Sequence, residues 1–271
     1  NKVSYRYKSH LLTDKKEAPF LDKDVIGDYS PKIKTILDLI EKTNGIIFIY
    51  SYWIKSGVIP LVLALEQNGY KKFSGEKVLD YPEWNGSKWS KGERNMKREP
   101  ISYDGIKKSN VGGDFHQAKY MVIAGDSEKL SNKMEEELKI ATSAENKDGR
   151  QIKVIIGSVV ASEGIDFKRI RSLHILEPWI HLNRIEQTIG RGIRFCSHGD
   201  LDNEEDKNVL IYLHATYNHK DKETIDSLIY RYAEKKAIDI GEIEDILKRE
   251  AIDRFLFREA NVITSKNVSS I

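Results

Sequence analysis

The sequence predicts an α/β fold in which a mostly parallel sheet is flanked by helices. Short runs rich in β-branched residues, typical of buried strands, alternate along the chain with segments whose apolar residues recur at helical spacing. Such alternation is typical of a parallel sheet covered by helices. The 271 residues are 39% hydrophobic and 32% charged, a globular composition in a chain long enough to bury a substantial core.

The first predicted element is a helix that begins at Ser30-Pro31, because serine caps helix starts and proline fits the first helical turn. Strands are then predicted at residues 46–50, 120–124, 153–156, 173–176 and 209–214. Further helices are predicted at residues 61–67, 127–141, 182–194, 224–236 and 241–257, the last two as an amphipathic pair.

These elements divide the chain into three segments. Residues 1–28 are polar and are predicted to be a linker or strap arriving from an upstream lobe, since the chain starts with Asn1 rather than Met. Residues 29–218 are predicted to form the α/β domain, and residues 219–271 a helical C-terminal extension.

Residues 71–117 are predicted to be an insertion into the domain, because they are rich in glycine and poor in aliphatic runs. Between residues 71 and 110 the net charge is +4, from ten basic and six acidic side chains. Trp84 and Trp89 lie among these charges and could stack on nucleic-acid bases, anchor the insertion to the surface, or contact another subunit.

Composition also excludes several classes of protein. The net charge of +2 excludes a histone-like basic protein but leaves room for a local basic groove. The single cysteine, Cys196, excludes a disulfide framework and fits a reducing compartment. The longest apolar stretch, around residues 58–65, is too short to span a bilayer. No group of cysteines and histidines has zinc-site spacing, so no metal site is predicted.

The chemistry is concentrated in residues 152–198. A strand-like run ends at Ser158 and is followed by a loop that contains Gly164 and Asp166, an arrangement that can present backbone N–H groups and a carboxylate at the carboxyl edge of the sheet. Taken alone, this pattern is more typical of an ordinary strand–loop turn.

A second pattern lies in the predicted helix at residues 182–194. Gln187, Arg191 and Arg194 are spaced four and three residues apart, so they would share one helix face. Two guanidinium groups on one face suit an anion such as phosphate. Gly190 and Gly192 each weaken a helix by about 1 kcal/mol, which indicates that another body approaches closely.

Together these patterns resemble a known family. Gln-x-x-Gly-Arg-x-x-Arg at 187–194, after Ser-x-x-x-x-x-Gly-Ile-Asp at 158–166, is similar to motifs VI and V of the second RecA-like lobe of superfamily 2 helicases. Ser30-Pro31-Lys32 and residues 46–51 resemble the entry to that lobe and motif IV. Residues 177–198 and the tail look closer to helicases of large cytoplasmic DNA viruses, of the poxvirus transcription-factor and nucleoside-triphosphatase type. Glu163 replaces the arginine found in many RNA helicases of the superfamily.

The resemblance implies a role for each site residue. Arg194, as the arginine finger, and Arg191 would reach the γ-phosphate of ATP on the other lobe, and Gln187 would position the nucleotide or water. Gly164, Asp166 and Gly190 would line the nucleotide cleft, with Asp166 near the ribose, and Ser158 would contact the nucleic-acid backbone. Trp179 is interpreted as filler of the core or of the lobe interface.

The resemblance also implies what the chain lacks and what it binds. The chain has no Gly-Lys pair and no Asp-Glu-x-His, so the phosphate loop and the Mg²⁺ ligands of an ATP·Mg²⁺ site are expected on an N-terminal lobe of the same polypeptide. The expected partners are DNA or RNA and transcription or replication proteins, without a membrane, in a cytoplasmic location that would be the host cytoplasm or the virion for a viral protein. The alternative is a non-catalytic nucleic-acid-binding or transcription-scaffold module.

Overall fold

The computed structural model describes residues 4–8, 19–80, 98–125, 133–162, 164–217 and 223–256. Its centre is a six-stranded sheet in which every pairing is parallel. In spatial order the strands are β3 (Lys71–Lys72), β5 (Lys119–Ile123), β6 (Val154–Gly157), β2 (Ile46–Tyr50), β7 (Ile170–Ile175) and β8 (Leu210–Leu213). A second, two-stranded sheet pairs β1 (Tyr5–Arg6) with β4 (Leu79–Asp80).

The α-helices are α1 (Pro31–Lys42), α2 (Ile59–Gln67), α3 (Met134–Ala141), α4 (Leu182–Gly192) and α5 (Ile225–Glu250). The start of α1 is capped as the sequence predicts, because the Ile33 N–H donates to Ser30 Oγ over 3.4 Å and Pro31 occupies the first turn. A π-helical turn, Ile54–Val58, connects β2 to α2.

Central strand β2 shows why the helices cover both faces of the sheet. All five of its residues are buried, and successive side chains point to opposite faces. Ile47 and Ile49 pack in a cluster with residues of α1 and α2, whereas Phe48 packs in a second cluster that includes Ala141 of α3 and Ile185 of α4. The predicted α/β fold with a parallel sheet and flanking helices is therefore confirmed.

The start of the chain is more closely integrated than a linker would be. Tyr7, Leu21 and Ile26 are buried in the same core cluster as α1 and α2. Asp22 pairs with the Arg98 guanidinium at 2.7 Å. The described part of residues 1–28 thus packs on the domain. It does so because a few apolar side chains in this otherwise polar segment are buried against residues far away in the sequence.

Residues 71–117 also differ from the predicted insertion where they are described. Lys71–Lys72 form the edge strand β3 of the main sheet, and Leu79–Asp80 pair with the N-terminal strand β1. Trp84 and Trp89 lie in residues 81–97, outside the described residues.

In the described residues 223–256, one α-helix takes the place of the pair that the sequence predicts. Helix α5 runs without a break through Gly241, since a single mid-helix glycine costs only about 1 kcal/mol. Its first turn is anchored by Asp226, whose carboxylate lies 2.7 Å from Lys32 Nζ of α1 and accepts the Thr216 N–H at 2.8 Å.

A buried histidine pair joins β7 to β8. His174 Nδ1 lies 3.0 Å from His214 Nε2, and Ser172 Oγ lies 3.1 Å from His174 Nε2. The Tyr212 ring stacks on His174 with centroids 4.7 Å apart. Burial, and to a smaller extent the charge of His214, lowers the pKa of His174 to about 3. Burial, and to a smaller extent the charge of Lys32, lowers the pKa of His214 to about 4.

Candidate functional site

Three adjacent strands, β6, β2 and β7, end at the same edge of the sheet because they are parallel and paired in register. Ser158 follows β6, Tyr52 and Trp53 follow β2, and Trp179 follows β7. Ligands of open α/β sheets bind at this carboxyl edge. The edge therefore collects side chains from three separate parts of the sequence.

The loop after β6 starts at the carboxyl edge and then runs back across one face of the sheet. Ser158 is 2% exposed; its N–H donates to the Ile123 carbonyl at 2.8 Å, and its carbonyl accepts the Ala161 N–H at 2.8 Å. Further along, the Phe167 ring packs on Phe48 in the middle of β2, with centroids 4.4 Å apart. Asp166 directly precedes this packed ring in the loop.

The same loop is tied to the end of α4. The Phe167 N–H donates to the Arg191 carbonyl at 3.2 Å, and the Asp166 carboxylate forms an ion pair with the Arg194 guanidinium. Arg194 is 42% exposed and Asp166 is 56% exposed in their side chains, so the pair is open to solvent. Residues predicted from two separate motifs are therefore in direct contact.

Helix α4 ends at Gly192, so Arg194 lies two residues beyond it and does not share its face with Gln187 and Arg191 as predicted. Ile193, the next residue, has left the helical conformation, with φ −123° and ψ 84°. The turn that follows is fixed to the start of β7, since the Arg169 N–H donates to the Ser197 carbonyl at 3.0 Å.

The two glycines of α4 have different surroundings. A Cβ atom on Gly192 would lie 2.9 Å from Leu173 Cδ1 of β7, so this glycine allows the helix to approach the sheet. Among the described residues, a Cβ atom on Gly190 would meet nothing within 4 Å, and the same holds for Gly164, which has φ +71°. Gln187 is exposed and Arg191 is half-buried on the same helix.

At the carboxyl edge the structure brings together an aromatic–arginine patch, formed by Tyr52, Trp53, Trp179 and Arg184. The Tyr52 and Trp179 rings lie 4.2 Å apart at 35°, and Trp53 meets Tyr52 edge-on at 4.7 Å. The Arg184 guanidinium carbon lies 4.9 Å from the Tyr52 ring centre and 4.8 Å from that of Trp179. Sequence reasoning missed Tyr52, Trp53 and Arg184; the available signal was aromatic residues directly after two buried strands.

A half-buried carboxylate, that of Glu177, lies against this patch. Glu177 accepts the Tyr52 N–H at 3.1 Å, and its Oε1 lies 2.8 Å from Ser51 Oγ. Burial raises the pKa of Glu177 against the opposing effect of these hydrogen bonds and of Lys32. A Cβ atom on Gly57 would lie 1.9 Å from Ser51 Oγ, so glycine is required where the π-helical turn passes this group.

Comparison with known proteins gives the class of the chain. Residues 110–196 match the family described as helicase conserved C-terminal domain. A protein of Acanthamoeba polyphaga mimivirus named as an ATP-dependent RNA helicase is 30% identical over 241 residues, which are 82% of this chain and 19% of that protein. A termination factor NPH-I homolog of African swine fever virus is 29% identical over 235 residues, which are 83% of this chain and 33% of that protein.

Among solved structures, the C-terminal part of the Fun30 ATPase domain matches 78% of this chain and 50% of its own length, with a TM-score of 0.43 and 13% identity. The chain carries a helicase conserved C-terminal domain, and its predicted resemblance to helicases of large DNA viruses is confirmed. It spans about a fifth of the mimivirus relative and a third of the swine fever virus relative.

Within the described residues, no helix is long and apolar enough to cross a membrane. Nor do three or more histidine, cysteine or acidic side chains come together there in a way that could hold a metal ion.

Proposed function

We propose that this chain is the C-terminal lobe of an ATP-dependent nucleic-acid helicase or translocase and that it completes an ATP site carried mainly by an N-terminal lobe. The observation that supports this most is the contact of Asp166 with Arg194, together with the hydrogen bond from Phe167 to Arg191. These contacts join the motif V loop to the motif VI arginines on one solvent-accessible surface.

Arg194 is suited to serve as an arginine finger because its ion pair with Asp166 orients the guanidinium but is weak enough to be exchanged. An ion pair as exposed as that with Asp166 contributes only about 0–1 kcal/mol, so a phosphate group with greater charge can replace the carboxylate. A guanidinium placed on the transferring phosphoryl group stabilises the charge of the transition state. Arg191, on the last turn of α4, is the second cation on this surface.

The residues present fit one side of a bound ATP. Asp166 is exposed and could accept hydrogen bonds from the ribose, and the open space at Gly164 and Gly190 leaves room for the nucleotide or the other lobe. Gln187 is exposed on the same helix and would position nucleotide or water. ATP with Mg²⁺ supplies the phosphoryl group and the metal that neutralises it, and we propose that the phosphate loop and metal ligands lie on the N-terminal lobe.

We also propose the domain limits, the partners and the location of the protein. The two lobes belong to one polypeptide, consistent with the partial coverage of the relatives. Residues 29–218, with the described part of residues 1–28 packed on them, form the lobe, and residues 219–271 form its extension. DNA or RNA binds across the lobe, transcription proteins are partners as the name of the swine fever virus relative suggests, and the protein acts in the host cytoplasm or the virion.

The half-site proposal makes a direct prediction for the isolated chain. On its own it should hydrolyse no ATP above the buffer rate, whereas the polypeptide that carries both lobes should turn over and be stimulated by nucleic acid. Phosphate release is measured for both proteins with single-stranded DNA, duplex DNA and RNA. Turnover by the isolated chain would refute the division of the site, and a two-lobe protein without turnover would favour the non-catalytic scaffold.

A further inference from the structure

The aromatic–arginine patch has no part in the proposed ATP site. It lies at the carboxyl edge of β2 and β7, at the start of α4, whereas Arg191 and Arg194 lie at the end of that helix. We propose that this patch is a stacking platform for an unpaired base, so that the lobe binds nucleic acid in its single-stranded form. The proposal rests on the proposed function and specifies the form of its substrate.

Trp53 provides the surface for the base. Its side chain is 54% exposed, which is unusual for the largest apolar side chain, and its ring is braced edge-on by Tyr52 at 4.7 Å. Tyr52 is braced in turn by Trp179 at 4.2 Å. A base that stacks on Trp53 therefore meets a ring that already has neighbours on one side, and little side-chain freedom is lost on binding.

The backbone beneath the platform is fixed as well. The Tyr52 N–H is held by Glu177, and the Trp53 carbonyl accepts the Gly57 and Val58 N–H groups of the π-helical turn, each at 3.0 Å. Ser51 Oγ lies 3.0 Å from the same Trp53 carbonyl. The exposed ring is thus carried by a rigid segment rather than by a free loop, as a preorganised binding site requires.

The positive charges near the rings complement the phosphate groups of a nucleic acid. Arg184 lies over Tyr52 and Trp179, and Lys55 is exposed on the π-helical turn two residues after Trp53. A guanidinium can stack on an aromatic ring and still donate hydrogen bonds to a phosphate. The carboxylate of Glu177, which lies next to the platform, is engaged in hydrogen bonds with Ser51 and the Tyr52 N–H. Aromatic and cationic groups side by side are the combination that sequence-tolerant single-strand binders use.

This arrangement favours single strands over duplexes for a geometric reason. In a duplex the faces of the bases are covered by their neighbours, so a stacking surface reaches them only at ends or unpaired positions. Cationic groups alone would bind duplex and single strand through phosphates without this distinction.

The test compares Trp53→Ala and Trp53→Phe in the two-lobe polypeptide, with Phe255→Ala as a control at an 85% exposed aromatic residue on the tail. Affinity for a fluorescent single-stranded oligonucleotide and for a blunt duplex of the same sequence is measured at several salt concentrations. Trp53→Ala should bind the single strand about 10-fold more weakly, with an unchanged salt slope. Trp53→Phe should retain most of the affinity, and Phe255→Ala all of it.

Any other outcome contradicts the proposal. Unchanged single-strand affinity in Trp53→Ala, or an equal loss on the duplex, would show that no base stacks on this ring. Failure of the unaltered protein to bind any nucleic acid would refute the proposed function itself, and circular dichroism of each variant separates loss of binding from loss of folding.

Discussion

At the scale of single residues, the feature that bears most directly on the proposed function is the Asp166–Arg194 ion pair. The carboxylate keeps the guanidinium beside the loop that follows β6, and both groups remain open to solvent. Because the pair is weak, the arginine can exchange Asp166 for a phosphate without a large free-energy cost. In the proposed ATP site, Asp166 would then be free to accept hydrogen bonds from the nucleotide ribose.

The glycines of α4 allow a test at the same scale. Gly190→Ala should raise the free energy of unfolding by up to about 1 kcal/mol, because alanine favours a helix and the added methyl group meets no neighbour. Gly192→Ala should lower it by about 1–3 kcal/mol, because the methyl group would overlap Leu173. Urea unfolding of the isolated chain measures both values. The same sign for both variants would contradict the described packing of α4.

At the scale of elements, the strand pattern was largely predictable from the sequence. The strands of the main sheet that were predicted are found within a few residues of their expected positions, since β-branched runs flanked by turn residues specify buried parallel strands locally. The start of α1 was also predictable, because Ser30 and Pro31 determine it without help from distant residues.

Elements that depend on distant contacts were not predictable. Nothing local indicates that Tyr7 and Leu21 are buried, since their burial requires α1 and α2 to be in place. The turn that follows α4 is hydrogen-bonded to the start of β7, a contact between distant parts of the sequence. The single helix α5 forms because its other residues outweigh Gly241.

The candidate site was predictable in part for the same reason. The motifs identified Asp166 and Arg194 as site residues, but only the folded loop brings them into contact. The aromatic–arginine patch combines residues 52–53 with residues 179–184, more than 120 positions apart, and no spacing in the sequence connects them.

At the scale of the whole molecule, the buried histidine pair makes stability depend on pH. The pKa values of His174 and His214, about 3 and about 4, lie below the ordinary histidine value of 6.5 because burial disfavours the charged ring. The unfolded chain therefore binds more protons than the folded chain below pH 6.5. The free energy of unfolding should fall as the pH decreases from 6.5, by up to about 1.4 kcal/mol per pH unit for each histidine.

Urea unfolding between pH 7.5 and 5 measures this fall, in a range above the titration of most carboxylates. His174→Gln should be less stable at pH 7.5 and should lose stability less steeply below pH 6.5. His181→Gln, at an exposed histidine, should behave as the unaltered chain does. An identical decline in His174→Gln would show that the buried pair is not its source.

For the whole molecule, the central proposal is that this lobe supplies a cation to an ATP site formed with a second lobe. The most direct measurement is the steady-state ATPase rate of the two-lobe polypeptide with nucleic acid present, for Arg194→Ala and for Arg249→Ala as an exposed arginine on α5. Arg194→Ala should lower kcat by roughly 10³-fold or more, whereas Arg249→Ala should leave it unchanged. An Arg194→Ala protein with unaltered turnover would contradict the account.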